Sequence, residues 1–154
     1  EAIFTGGGNT FRLLDTLCRL KALDTIRARA AAGMPYTGAS AGTNLACPTI
    51  RTTNDMPILE PPSLTALGLI PFQINAHYLD PDPVSTHKGE TREERLMQYH
   101  EENATPVVGL RDGAMLRVHG DRVTLLGMKG ARIFRRGNEP VEVLPGTELN
   151  AFLG

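Results

Sequence analysis

Residues 34–47 read Met-Pro-Tyr-Thr-Gly-Ala-Ser-Ala-Gly-Thr-Asn-Leu-Ala-Cys, and this stretch decides the fold class. Residues 34–37 form a short predicted strand, and residues 38–42 are all small, which permits a sharp turn. Residues 43–47 continue as a helix that ends before Pro48. A strand that turns at once into a helix is typical of α/β proteins.

The sequence before this stretch repeats the pattern. Residues 2–5 are a predicted strand, and Gly6-Gly7-Gly8 gives the backbone the freedom to turn tightly and approach a ligand. Apolar residues then recur at helical spacing over residues 11–20 and again over residues 23–32. This alternation predicts a parallel sheet with helices on its faces.

The sequence after this stretch changes character. Residues 49–71 are rich in Pro, Thr and Asn and read as a long ordered loop, and residues 91–101 form a charged helix. Short strands separated by Gly- or Asn-containing turns are predicted at residues 72–76, 106–110, 114–119, 122–126, 131–135 and 141–144. We expect the last of these strands to form a C-terminal β-hairpin region beside the parallel core.

Length and composition indicate a single α/β domain over residues 1–154. The first residues read as a strand already under way, without an initiator Met, so we expect the N-terminal part of the domain to be missing from this chain. The 16 basic and 17 acidic residues give a net charge of −1, which favours neither nucleic acid nor an anionic membrane as a partner. Arg132, Arg135 and Arg136 form a basic cluster without interleaved aromatic residues, which we interpret as a solvated face.

The cysteine content favours a reducing, cytoplasmic compartment. Cys18 and Cys47 are the only cysteines, and their spacing is not that of a metal site. The sequence has no apolar run of the roughly 18 residues that a membrane span needs, and no signal segment.

Ser40 is the candidate nucleophile, because Gly38-Ala39-Ser40-Ala41-Gly42 fits the G-x-S-x-G pattern and lies between a predicted strand and a predicted helix. Such a turn forces the serine backbone into a strained conformation, and only small residues two positions away avoid a collision. The N–H of Ala41 would then face the reacting carbonyl as an oxyanion donor, with a second N–H from Gly7 or Gly8.

A nucleophilic serine needs a base, and the candidates are His77, His87, His100 and His119. His77 ends a predicted strand, so it would lie at the carboxyl edge of the sheet, where α/β proteins place their sites. We interpret the other three histidines as surface residues.

Asp112 is the preferred orienting carboxylate, because it also follows an apolar strand, whereas Asp80 and Asp82 are too close in sequence to His77 to be placed. The order Ser, His, Asp differs from that of α/β-hydrolases. A triad glutamine amidotransferase would need Cys in place of Ser40 and Glu in place of Leu79.

Three stretches carry a family resemblance: Gly6-Gly7-Gly8-Asn9-Thr10-Phe11, the block of residues 38–57, and His87-Lys88-Gly89-Glu90-Thr91-Arg92-Glu93. In these residues the chain closely resembles the peptidase E family of α-aspartyl dipeptidases, serine peptidases to which cyanophycinase is related. The resemblance implies a flavodoxin-like or class I glutamine amidotransferase-like α/β fold. It also implies a serine hydrolase that splits dipeptides with an N-terminal aspartate, and covers the C-terminal two-thirds of such a protein.

The resemblance implies residue roles as well. Ser40 corresponds to the nucleophile, His77 to the general base, and Gly8 and Ala41 to the oxyanion donors. Arg92 corresponds to the residue that recognises the substrate's aspartate side chain, where a planar guanidinium can bind both carboxylate oxygens. The departure is Asp112, since relatives carry Glu in the corresponding Gly-Leu-x-x-Gly segment.

The resulting hypothesis is a serine dipeptidase that acts through Ser40, His77 and Asp112 with no metal and no organic cofactor. The expected partner is a small acidic dipeptide, and a separate N-terminal segment of the same protein and a homo-oligomer are left open. Two alternatives remain. One is a cyanophycinase-like hydrolase of aspartyl-arginine polymer, and the other is a catalytically silent protein that binds small peptides.

Overall fold

The computed structural model describes residues 1–86 and 88–153. Within it the chain forms two compact units, Glu1–Ala76 and His77–Gly154. Strands and helices occur in both units, so the fold is mixed α/β. Among the described residues, no helix is long and apolar enough to cross a membrane.

The first unit alternates strands and helices as the sequence predicts. Its elements are β1 (Ile3–Thr5), α1 (Thr10–Arg19), α2 (Ala22–Ala31), β2 (Tyr36–Gly38), α3 (Ala41–Ala46) and β3 (Gln73–Ala76). Strands β1 and β2 pair in parallel, with Ile3 opposite Tyr36 and Thr5 opposite Gly38. Helices α1 and α2 form the crossover between them, which confirms the predicted parallel arrangement for this pair.

Helix α1 starts where a capping side chain and an apolar face coincide. Asn9 is the N-cap residue, and its side-chain oxygen accepts a hydrogen bond from the backbone N–H of Arg12 at 3.1 Å. The helix buries Leu14 completely. The buried residues around which this unit packs are Leu14, Leu45, Ile50, Ala66 and Leu67.

The long loop after α3 is held to β3 by polar side chains. Thr52 Oγ1 donates to the carbonyl of Ile74 at 2.9 Å, and Asn75 Nδ2 donates to the carbonyl of Thr52 at 2.8 Å. Asn54 Nδ2 donates to the carbonyl of Ala76 at 2.6 Å. These bonds fix the last residues of β3, directly before His77 in the chain.

The second unit contains the remaining elements: α4 (Arg92–Glu102), β4 (Val107–Leu110), β5 (Ala114–His119), β6 (Arg122–Gly127), β7 (Ala131–Phe134), β8 (Val141–Val143) and α5 (Asn150–Leu153). Strand β7 pairs antiparallel with both β4 and β8. Strands β5 and β6 form an antiparallel hairpin with His119 opposite Arg122. The predicted C-terminal hairpin region is therefore present.

A small aromatic core supports the second unit. Its buried residues are Tyr78, Leu96, Val107 and Phe134. The rings of Tyr78 and Phe134 pack with their centroids 5.5 Å apart. Gly109 of β4 leaves room for Tyr78, since a Cβ at this position would lie 2.9 Å from the Tyr78 ring.

Candidate active site

Ser40 occupies a strained turn between β2 and α3. Its backbone has φ 54° and ψ −113°, in the half of conformational space that residues with a side chain rarely adopt. Such a conformation costs on the order of 1–3 kcal/mol and persists only where the surroundings enforce it. The turn presents Ser40 at the end of a strand, as a nucleophile elbow does.

The glycines two positions before and after Ser40 are required because a side chain at either position would collide with neighbouring backbone atoms. A Cβ at Gly38 would lie 2.4 Å from the carbonyl oxygen of Gly42, and a Cβ at Gly42 would lie 2.1 Å from the carbonyl oxygen of Thr5. Both distances are too short for any side chain. The spacing of small residues in the G-x-S-x-G pattern thus has a direct structural cause.

The Gly6-Gly7-Gly8 turn lies beside Ser40. A Cβ at Gly7 would lie 3.4 Å from the Cβ of Ser40 and 3.6 Å from its Oγ. The N–H of Gly42 donates to the carbonyl of Gly6 at 3.2 Å, and Gly8 has a φ of 128°. The turn therefore brings the backbone of the glycine run next to the serine side chain.

Asp55 holds the start of α1 beside this turn, a role that the sequence did not indicate. Its Oδ2 accepts hydrogen bonds from the N–H and the hydroxyl of Thr10, at 2.7 and 2.5 Å. Thr10 is fully buried. A carboxylate at the first residues of a helix is favourable, because the backbone N–H groups there have no partner within the helix.

In the second unit, His77 and Asp112 form a pair. Nδ1 of His77 lies 2.6 Å from Oδ1 of Asp112, so an Nδ1–H tautomer donates to the carboxylate. His77 has φ 55°, and Asp112 lies in the turn after β4, before Gly113 with φ 87°. Asp112, the carboxylate preferred from the sequence, thus contacts the imidazole.

Asp80, the competing carboxylate, is bound elsewhere. Nε and Nη2 of Arg111 donate to its two oxygens at 2.8 and 2.7 Å. Nη1 and Nη2 of Arg111 also donate to the two oxygens of Glu142, at 2.6 and 2.9 Å. These hydrogen bonds from Arg111 lower the pKa of Asp80, while the bonds to Glu142 and then Asp80 raise the pKa of Arg111.

The structure corrects two expectations about surface residues. His100 is buried at 7% exposure, and its Nδ1 lies 3.0 Å from the carbonyl oxygen of Asn103. Arg132 is not part of a solvated face, since its guanidinium pairs with Glu93 at 3.0 Å. His119 is exposed on β5, as expected, and His87 lies outside the described residues.

Arg92 is the first residue of α4, behind a capping box formed by Thr91 and Glu94. Its side chain is half-buried. Among the described residues no carboxylate forms an ion pair with it. Burial, and then the charge of Arg95, lower the pKa of Arg92. Within residues 1–86 and 88–153, the guanidinium of Arg92 is thus half-buried without a paired carboxylate.

Both cysteines are thiols, and Cys47 is fully buried. Its Sγ accepts a hydrogen bond from the N–H of Ile74, and burial raises the pKa of Cys47 to about 12. Within the described part of the chain, no group of three or more His, Cys, Asp or Glu side chains is arranged to hold a metal ion.

A strained serine in a strand-to-helix turn, within a mixed α/β fold, is typical of hydrolases with a nucleophilic serine. Residues 1–126 match the model of peptidase family S51, and the chain belongs to that family. The resemblance inferred from its motifs is thereby confirmed.

The chain is also similar to individual proteins. It is 60% identical to "Peptidase E" of Streptomyces coelicolor and 50% identical to "Probable alpha-aspartyl dipeptidase" of Drosophila melanogaster, in each case over 99% of its length. It spans 63% of the first protein and 64% of the second. The crystal structure of a peptidase from an acI-B1 Actinobacterium shares the fold, with a TM-score of 0.68 and 17% identity over 96% of this chain and 58% of that one.

Proposed function

We propose that this protein is a serine dipeptidase that hydrolyses dipeptides with an N-terminal aspartate. The observation that carries the proposal is the backbone of Ser40, which is held at φ 54° between two glycines in a member of peptidase family S51. The names of the relatives, peptidase E and α-aspartyl dipeptidase, support the substrate class.

The proposed reaction is acyl transfer to water. The Ser40 hydroxyl attacks the peptide carbonyl while the His77 imidazole accepts its proton, and the imidazolium then protonates the leaving amine. The N–H groups of Gly8 and Ala41 donate to the oxyanion. Water then attacks the resulting ester while the His77 imidazole accepts its proton. The imidazolium returns that proton to the Ser40 oxygen, which releases aspartate and restores the serine.

Asp112 has the role of orienting the base in this reaction. By accepting the Nδ1–H of His77 at 2.6 Å, its carboxylate leaves Nε2 as the nitrogen that exchanges the proton. It also stabilises the imidazolium that forms after proton transfer.

Arg92 is proposed to bind the side-chain carboxylate of the substrate's aspartate. Its half-buried guanidinium, which no carboxylate of the described residues pairs with, supports this role. A planar fork binds both oxygens of a carboxylate and discriminates it from an amide.

We further propose that residues 1–154 belong to one hydrolytic domain of the flavodoxin-like, amidotransferase-like class. The parallel β1–β2 pair with its helical crossover is the unit from which such sheets are built. A cytoplasmic location is proposed on the two thiols, neither of which is in a disulfide.

Substitution of the nucleophile tests the proposed function. Ser40→Ala removes one oxygen and keeps a small residue in the turn, so hydrolysis of Asp-Leu should fall on the order of 10⁴-fold. The matched control is Ser63→Ala, since Ser63 is an exposed serine of the loop after α3 and should be dispensable. Near-normal hydrolysis by Ser40→Ala would refute the serine mechanism. Turnover of aspartyl-arginine polymer in place of Asp-Leu would favour the cyanophycinase-like alternative.

A further inference from the structure

Arg111 connects the two segments that carry the His77–Asp112 pair. It immediately precedes Asp112, and its guanidinium binds both oxygens of Asp80, three residues after His77. The same guanidinium binds both oxygens of Glu142 on β8. Arg111 thus makes four charge-assisted hydrogen bonds, which are the strongest class in proteins.

The backbone provides a second connection at the same place. The N–H of Tyr78 donates to the carbonyl of Leu110 at 3.1 Å, and the guanidinium of Arg111 lies 5.7 Å from the centre of the Tyr78 ring. The N–H of Ala114 donates to the carbonyl of Arg111 at 3.0 Å, which closes the turn containing Asp112. Arg111 therefore takes part in fixing both sides of the pair.

The side chains of the two contacts differ in how much of their surface is exposed. The side chains of His77 and Asp112 are 55% and 75% exposed. That of Arg111 is only 18% exposed, and the two carboxylates that it binds are each 50% exposed. An exposed ion pair contributes too little to order two side chains by itself. A shielded, bidentate guanidinium with two carboxylates keeps a defined geometry.

We propose that Arg111 is a positioning residue, whose guanidinium, by holding Asp80 and Glu142, fixes the turn of Asp112 so that this carboxylate meets Nδ1 of His77. The effect on catalysis rests on the proposed function, but the effect on the imidazole does not. Arg111 itself contacts no substrate in this proposal and acts only through Asp112.

Two readouts on the same variants test the proposal. In Arg111→Gln the fork is lost, so kcat for Asp-Leu should fall at least about tenfold while KM changes less than about threefold, because a misplaced orienting group affects the reaction more than binding. The ¹⁵N shifts of the His77 ring, recorded with the imidazole neutral, report which tautomer is populated. They should indicate a single tautomer in the unmodified protein and a mixture of the two in Arg111→Gln. Arg111→Lys should restore part of both, since an ammonium can hold one carboxylate but lacks the fork.

Two further variants make the result decisive. Arg122→Gln removes an exposed arginine that pairs with Glu148 in the same unit and should change neither readout. If Arg111→Gln does not fold, Glu142→Gln weakens the same contact and should shift both readouts in the same direction to a smaller extent.

The outcomes separate this proposal from the proposed function. A single His77 tautomer and an unchanged kcat in folded Arg111→Gln, or in Glu142→Gln where it replaces that variant, overturn the positioning role. If the unmodified protein does not hydrolyse Asp-Leu, the proposed function fails, and the tautomer measurement alone decides the role of Arg111.

Discussion

The Ser40 turn and the His77–Asp112 pair are held by different forces. Backbone shape fixes Ser40: Gly38 and Gly42 lie where no Cβ fits, and the N–H of Ala39 bonds to the carbonyl of Thr5 at 2.9 Å. The His77–Asp112 pair, by contrast, is largely exposed, and the neighbouring Arg111 is held by two carboxylates, those of Asp80 and Glu142.

This difference predicts how each region responds to change. A backbone-determined turn tolerates no added atom but is insensitive to salt and pH. A pair that depends on charged side chains tolerates changes of size, but it depends on the charge and hydrogen-bonding geometry of its partners. Substitutions can therefore be chosen that affect one region and spare the other.

Asp112→Asn should produce the largest effect in the second region. The amide keeps the shape but can present its N–H to Nδ1 and so favour the wrong imidazole tautomer, and we expect kcat for Asp-Leu to fall on the order of 10³-fold. Asp112→Glu should be tolerated, since only one methylene is added at an exposed position. Steady-state kinetics on both variants check this.

The matched control for Asp112 is Asp121→Asn, an exposed aspartate in the turn between β5 and β6, which should leave kcat unchanged. Full activity of Asp112→Asn would show that another carboxylate orients His77.

Gly42→Ala should produce the largest loss of stability in the first region. The added Cβ would lie 2.1 Å from the carbonyl oxygen of Thr5, a backbone atom that cannot rotate away. We expect the free energy of unfolding to fall by about 3 kcal/mol, measured by urea denaturation. Gly6→Ala is the control, because its Cβ would have only an ordinary 3.7 Å contact. Equal stability of the two variants would contradict the account of the turn.

Arg92→Lys should have the smallest effect and should alter selectivity. The lysine keeps the charge but loses the fork, so the preference for Asp over Asn at the first substrate position should fall roughly tenfold in kcat/KM. Arg95→Lys, on the same helix, should leave the ratio unchanged. If the ratio changes in Arg95→Lys instead, the carboxylate is recognised by Arg95.

The features around Ser40 could be predicted because their causes are local. The sharp turn needs small residues two positions before and after the serine, and Gly38 and Gly42 meet this requirement in the sequence itself. The alternation of strands and helices around the turn likewise predicts the parallel β1–β2 pair. The apolar runs before His77 and Asp112 also predicted that each residue follows the end of a strand, as β3 and β4 show.

The interactions around Arg111 could not be predicted in this way. Arg111 lies 31 residues from both Asp80 and Glu142, and no local pattern indicates which acidic residues it binds. The same reason explains the errors at Arg132, whose partner Glu93 is distant in sequence, and at His100, which the fold buries although its helix is highly charged.

Covalent labelling shows directly whether Ser40 is an activated nucleophile. A fluorophosphonate reacts with activated serines and leaves a stable adduct, which intact mass and peptide mapping locate. We predict a single adduct, on Ser40, that does not form in Ser40→Ala and forms more slowly in Asp112→Asn. An adduct on Ser63 or Ser85, or unlabelled Ser40 in a preparation that hydrolyses Asp-Leu, would contradict the account.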